Sequence, residues 1–453
     1  MRKTKALSAL LAAVMCLSGC GAKTETIQTT EKTTTKQEIS AETETQEITT
    51  TESGIEIVEP DAKYFEYNYD TALEGIVITG YIGQARAIRI PRTIEGNPVK
   101  SFKISEDSII TDVVIPDCFN VIDENAFSGC DNLKSVFIPN SITSIGYCAF
   151  ERCKNLTGVT IPDSVTNIGY GAFWGCENIK DINIPDSVAS IGESAFSDCY
   201  GLTEITIPNS VSSIGERAFE DCKNLVRINI PDSVARIGDA AFMHCESLTE
   251  ITIPNNVISI GELTFSSCYS LKEITIPNGV TSIGYEAFSY CKNLTKITIP
   301  DSVESIGERA FLSCESLLEI TMPNSITSIG EYVFSDCINL EEITISNSLS
   351  RISNYTFNNC YNLKKITIPD GVKSIGNYVF YNCESITEID IPDSVTTIGS
   401  SPFIGCYSLT EVTIPDSVTN TGFIIEYDYA AIIYKGNKYN DSNSGEFYAL
   451  MGW

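Results

Sequence analysis

The chain holds a single histidine, His244, and two tryptophans in 453 residues. That scarcity leaves every histidine-dependent catalytic arrangement to one residue. His244 and the adjacent Cys245 should project in different directions from a turn, so they do not read as a nucleophile–base dyad. A Ser/His/Asp triad would need the same imidazole, and no Gly-x-Ser-x-Gly elbow supports one. No HExxH and no phosphate-cradling glycine loop occurs either. Basic side chains are also few, 30 against 59 acidic, for a formal net charge of -29. A surface of that sign repels nucleic-acid backbones and anionic headgroups, so neither is expected as a partner. Beyond the N-terminus, no apolar run is long enough to span a bilayer. These shortages point away from an enzyme, a cofactor or a metal.

What is present begins with a charged start, Arg2, Lys3 and Lys5, and an apolar stretch from Ala6 to Leu17 that is too short for a membrane span. The next residues, Leu17-Ser18-Gly19-Cys20, resemble the lipobox of bacterial lipoprotein signal peptides. The resemblance implies removal of residues 1–19 and acylation of the Cys20 thiol. The protein would then sit on the extracellular face of a bacterial membrane, attached only through its N-terminal lipid. Residues 20–60 are rich in Thr and Glu and poor in large apolar side chains. Such a segment cannot bury enough surface to offset its chain entropy, so it reads as a disordered tether.

The rest of the chain is dominated by one period. Thirteen cysteines, from Cys130 to Cys406, fall at intervals of 23 residues. The unit beginning at Leu202 shows the pattern: Ile205, Ile207, Pro208, Val211, Ile214, Gly215, Ala218, Phe219 and Cys222 recur in register along the chain. Fourteen units begin at positions 110, 133 and so on to 409. Ile205 and Ile207 alternate with Glu204 and Thr206, the period of a strand with one buried face. Pro208 should close that strand, because it has no N–H to donate. Gly215 is expected to supply a positive φ at a corner. Ala218, Phe219 and Cys222 lie at the spacing of a short helical or 3₁₀ turn. One unit cannot bury its own apolar row; stacked units can. Fourteen parallel strands would give a sheet on the order of 65 Å long.

This pattern resembles the BspA-like bacterial surface leucine-rich repeat, with its LxxIxIPxxVxxIGxxAFxxC unit. The resemblance covers residues 110–422. It implies a β-rich solenoid of the α/β leucine-rich-repeat type, built of stacked strand–turn–short helix units with atypical end caps. Residues 61–109 suit an N-terminal cap with one irregular unit, and residues 423–453 a C-terminal cap. Departures from the unit occur at Asp123 and Ser353 in place of Gly, Ser346 in place of Pro, Met322 and Thr421 in place of Ile, and Pro402 in place of Ala.

The cysteines share one inward position, which favours a ladder of buried free thiols over disulfides or zinc. The third and fifth positions of the unit should face outward. There Glu204, Glu250, Glu273, Glu319 and Glu342 form an acidic row beside Thr206, Thr252, Thr275, Thr321 and Thr344. Arg227, Lys296 and Lys365 interrupt the row. It reads as a solvated face that could also serve for binding, with a weak calcium site as an alternative. Tyr170 and Trp174 form a possible aromatic patch suited to stacking on sugars. The family resemblance implies adhesion to host matrix proteins or to the surface proteins of other microbes; solenoids of this kind commonly bind through a concave strand face, and a monomer is expected. A glycan-binding surface protein that captures polysaccharide is the alternative.

Overall fold

The computed structural model describes residues 49–50, 56–104, 106, 108–422, 431–440 and 443–450. The signal segment, Cys20 and most of the tether lie outside these residues. So do Tyr427 and Tyr429 of the C-terminal segment.

The body is a β-solenoid in which each 23-residue unit makes one three-sided coil. The first side of the coil that begins at Leu202 is the strand Glu204–Thr206, in parallel register with Arg227–Asn229 of the next coil (Glu204 opposite Arg227, Ile205 opposite Ile228). Pro208 ends it, and its carbonyl accepts from the Val211 amide to close a turn. The second side is the short strand Ser213–Ile214, paired in the same parallel sense with Arg236–Ile237. A register shift of one whole unit puts like residues over like, so the apolar positions form continuous ladders. Ile205, Ile207, Val211, Ile214, Ala218 and Phe219 are all buried. The phenylalanines from Phe127 to Phe403 stack with centroids 5.1–6.0 Å apart and planes within 11°.

The third side differs from the expected short helix. It is a chain of consecutive turns in which the Cys222 amide donates to the Phe219 carbonyl and the Glu220 amide to that of Arg217. Arg217 (φ 53°) and Asp221 (φ 55°) adopt left-handed backbone. The same two positions are left-handed in every coil from Asn125 to Gly405. Alternate amides then donate to the next coil, as Phe219 does to Ala241 and Asp221 to Met243. A helix satisfies its own backbone groups. This side satisfies half of them between coils, which is why apolar spacing alone did not reveal it.

The corner glycine also plays a different part from the one expected. Gly215 has no left-handed φ. A Cβ at Gly215 would lie 2.5 Å from the Glu193 nitrogen, and one at Gly238 would lie 2.4 Å from that of Glu216. Glycine is there because coils touch backbone to backbone at this corner. Asp123 stands in its place in the first regular coil, whose second-side strand Val121–Ile122 is the edge of its sheet, with no strand paired beneath it. Ser353 stands there where the second-side ladder is broken, and its hydroxyl donates to the Ile329 carbonyl at 2.8 Å.

Both ends of the stack are finished by hairpins. At the start, Phe65–Asp70 pairs antiparallel with Gly75–Tyr81, which runs parallel to Asn97–Phe102. Phe102 packs edge-on against Phe127 and so seats the phenylalanine ladder. The insertion at Glu95-Gly96 is a two-residue turn with both φ values positive, as a tight hairpin requires. Ile57 is buried, and Val58 bridges to Ile88, so the packed body includes residues 56–60, which the sequence reading gave to the tether. At the far end, Ala431–Tyr434 adds to Glu411–Ile414 and turns through Lys435-Gly436 into Asn437–Tyr439.

Candidate interaction surface

The first side places its third- and fifth-position side chains in rows on the outside of the sheet. Glu204, Thr206, Glu250, Thr252, Glu273, Thr275, Glu319, Thr321, Glu342 and Thr344 are all exposed there, each beside a buried isoleucine. A strand of three residues with one buried centre leaves them no other orientation. The basic interruptions recur at 69-residue spacing, Arg227, Lys296 and Lys365. Two of them pair forward with the next rung: Arg227 with Glu250 at 3.4 Å and Lys365 with Glu388 at 3.1 Å. A cation every third coil relieves the repulsion that an unbroken carboxylate ladder would carry at a rung spacing of about 4.8 Å.

This face is not uniformly flat. A depression of about 640 Å³ opens across three coils, lined by Arg227, Asp232, Glu250, Thr252, Glu273 and Thr275 among others. Four of the ten predicted face residues therefore meet at one place. The sequence reading missed this groove; Asn256 and Gly279 depart from the usual corner serine there, but so does Gly371, whose coil keeps its strand.

The lone histidine lies on the third side, half-exposed, with Nδ1 3.4 Å from Asp221 Oδ2. Cys245 turns away from it, its Sγ 3.2 Å from the Phe219 carbonyl. No Cys–His pair forms. Among the described residues, no group of three or more His, Cys, Asp or Glu is arranged to hold a metal ion.

Tyr170 and Trp174 are half-buried rather than free-standing. Tyr170 stacks on Tyr147 with centroids 4.8 Å apart. The Arg152 guanidinium lies over Trp174, whose indole N–H donates to Asp198 at 2.8 Å. A second stack, not noticed in the sequence, joins Tyr332, Tyr355 and Tyr378 at 4.4 and 5.0 Å. Its ends are covered by Arg309, over Tyr332, and by the edge-on ring of Tyr381. Their spacing of 23 residues was the available signal. Rings stacked along the solenoid axis spend their faces on one another and show their edges outward. Sugar stacking needs a free face.

Comparison with known proteins places the chain. The BspA type leucine rich repeat region matches in six copies, over residues 99–226, 190–318 and 304–425. The chain belongs to that family. No curated protein matches it. Among solved structures, a leucine-rich repeat protein from Bacteroides ovatus is 29% identical, with a TM-score of 0.57, over 82% of this chain and 89% of that one. A leucine rich cell surface protein from Faecalibacterium prausnitzii is also 29% identical, with a TM-score of 0.48, over 80% of this chain and 94% of the other. Leucine-rich repeats of this kind are in general binding scaffolds, because stacked coils offer long regular surfaces.

Proposed function

We propose that this BspA-type solenoid is a protein-binding module of the bacterial cell surface, anchored through acylated Cys20 and engaging extracellular proteins of a host matrix or of other microbes. The observation that carries the reading is the first-side face. It is a long, regular, solvated surface of Glu and Thr that the core does not need and that contains a groove. The tether would hold this face away from the membrane. Tyr170, Trp174 and the Tyr332–Tyr355–Tyr378 stack lend a glycan-capture role no support, because their ring faces are already covered.

The test is binding of the purified protein to an array of matrix proteins, bacterial surface proteins and glycans, with and without calcium. Saturable protein binding is expected, lost in Thr321→Arg/Thr344→Arg and unchanged in Tyr170→Ala/Trp174→Ala. Binding confined to sugars and abolished by the aromatic changes would reverse the assignment. Metabolic labelling with palmitate, present in the native chain and absent in Cys20→Ala, tests the anchor.

A further inference from the structure

The coil that begins at Leu248 breaks the pattern of its neighbours. Its first side forms no strand and keeps only an isolated bridge between Arg227 and Glu250, while the flanking coils have the strands Arg227–Asn229 and Glu273–Thr275. The corner after its first side also departs from the commonest arrangement. In most coils a serine there donates to a carbonyl of the coil before: Ser233 to Val211 at 2.8 Å, Ser302 to Val280 at 2.7 Å and Ser394 to Val372 at 2.7 Å. The Leu248 coil has Asn256 instead, whose longer side chain reaches past that carbonyl to the one of Asp232 at 2.6 Å. The next coil has Gly279, which has nothing to donate. Two successive links of the usual kind are missing, and the groove lies over this stretch.

The groove is also out of electrostatic balance. Asp232, Glu250 and Glu273 line it against one cation, Arg227, which Glu250 already engages at 3.4 Å. Glu273 has no ion pair among the described residues, although Lys296 stands on the next rung. Glu204, Glu319 and Glu342 of the same row are likewise without an ion pair among the described residues, while two glutamates further along are met by lysine. Lys365 reaches Glu388, and Lys438 reaches Glu411 at 3.4 Å from the terminal strand Asn437–Tyr439. That last pair shows how a short strand can carry a cation to this row.

We propose that the groove takes an extended peptide segment bearing lysine or arginine, its cation seated between Glu250 and Glu273 and its flanking residues lying along Thr252 and Thr275. This rests on the reading of the first side as a protein-binding face and names the segment that one part of it accepts. The carboxylates supply the attraction. The amides of Asn229 and Asn255, at the groove's edge, supply hydrogen-bond partners for the guest backbone.

The test uses the whole protein and a fluorescein-labelled peptide of alternating threonine and lysine, followed by fluorescence anisotropy at moderate salt. Saturable binding is expected, weakened about tenfold in Glu250→Gln/Glu273→Gln and unchanged in Glu388→Gln/Glu411→Gln, with no binding of a threonine–glutamate peptide. All four substituted side chains are exposed, and circular dichroism checks that each variant folds. Equal weakening in both double variants would reduce the effect to diffuse attraction and overturn the proposal. So would full competition by spermidine at the peptide's own concentration, which would make the site one for small cations. If the peptide fails while Thr321→Arg/Thr344→Arg still abolishes binding on the array, the groove proposal falls and the face reading stands. If neither effect is seen, both fall.

Discussion

At the scale of single residues, the repeat cysteine has the clearest physical role. Each Sγ donates to a main-chain carbonyl 26 residues earlier, as Cys222 does to Phe196 at 3.2 Å and Cys245 to Phe219 at 3.2 Å. The residue is thus a small buried hydrophobe and a weak donor at once, a combination that neither alanine nor serine offers in an apolar setting. The sequence made the inward position and the apolar surroundings legible through strict spacing. It hid the acceptor, because nothing local identifies a carbonyl one coil away. Burial lifts the thiols of Cys222, Cys245, Cys268 and Cys314 well above their ordinary value of 9.0, and those of Cys291 and Cys406 to about 12. The folded protein therefore keeps protons that the unfolded chain gives up above pH 9. Their contribution to stability is whole below that point and falls as pH rises toward 12, by up to about 1.4 kcal/mol per thiol per pH unit. Thermal melts followed by circular dichroism should show a level Tm from pH 7 to 8.5 and a steep fall by pH 10.5. A level Tm throughout would mean that the thiols are not sealed.

At the scale of elements, the strands were legible and the third side was not. Alternation around Ile205 and Ile207 fixes a strand with one buried face whatever its neighbours do. Ala218, Phe219 and Cys222 carry a spacing that a helical turn and a run of left-handed turns both satisfy, so a local pattern could not choose between them. Gly215 was misread for a related reason, since its cause is the Glu193 backbone in another coil. The acidic and threonine rows followed from the strand period. The groove did not, because no departure from the repeat marks it uniquely: Ser325, Ser348 and Gly371 also lack the usual corner link, and their coils keep their first-side strands. Restoring the links at Asn256 and Gly279 is a direct check. Asn256→Ser/Gly279→Ser should return a serine donor to the carbonyls of Val234 and Val257. We expect Gly279→Ser to add about 1 kcal/mol for the hydrogen bond gained, Asn256→Ser to exchange one hydrogen bond for another, and the double variant to weaken the threonine–lysine peptide in the anisotropy assay. A variant that is more stable but binds the peptide as before would separate the groove from the missing links.

At the scale of the whole molecule, identical coils stacked in one register make stability a sum over neighbours rather than a property of one centre. Deleting one complete coil, residues 294–316, should leave a folded solenoid shorter by about 4.8 Å, whereas removing 20 residues from the same place should cost the register of every ladder beyond the cut. Small-angle scattering and the Tm distinguish the two, and equal loss from both deletions would contradict the neighbour-sum picture. The side-chain donors add a direction to this stack. Serine reaches back 22 residues, as Ser233 does to Val211. Asparagine reaches back 24, as Asn224 does to Tyr200, and cysteine 26, as Cys222 does to Phe196. All three turn toward the coil already made. A ribosome delivers the N-terminal coils first, so each new coil meets a finished surface of waiting carbonyls for its side-chain donors, while its alternate third-side amides wait for the coil that follows. The stack thus has a polarity like that of a crystal face, with side-chain donors turned toward one end and alternate third-side amides toward the other.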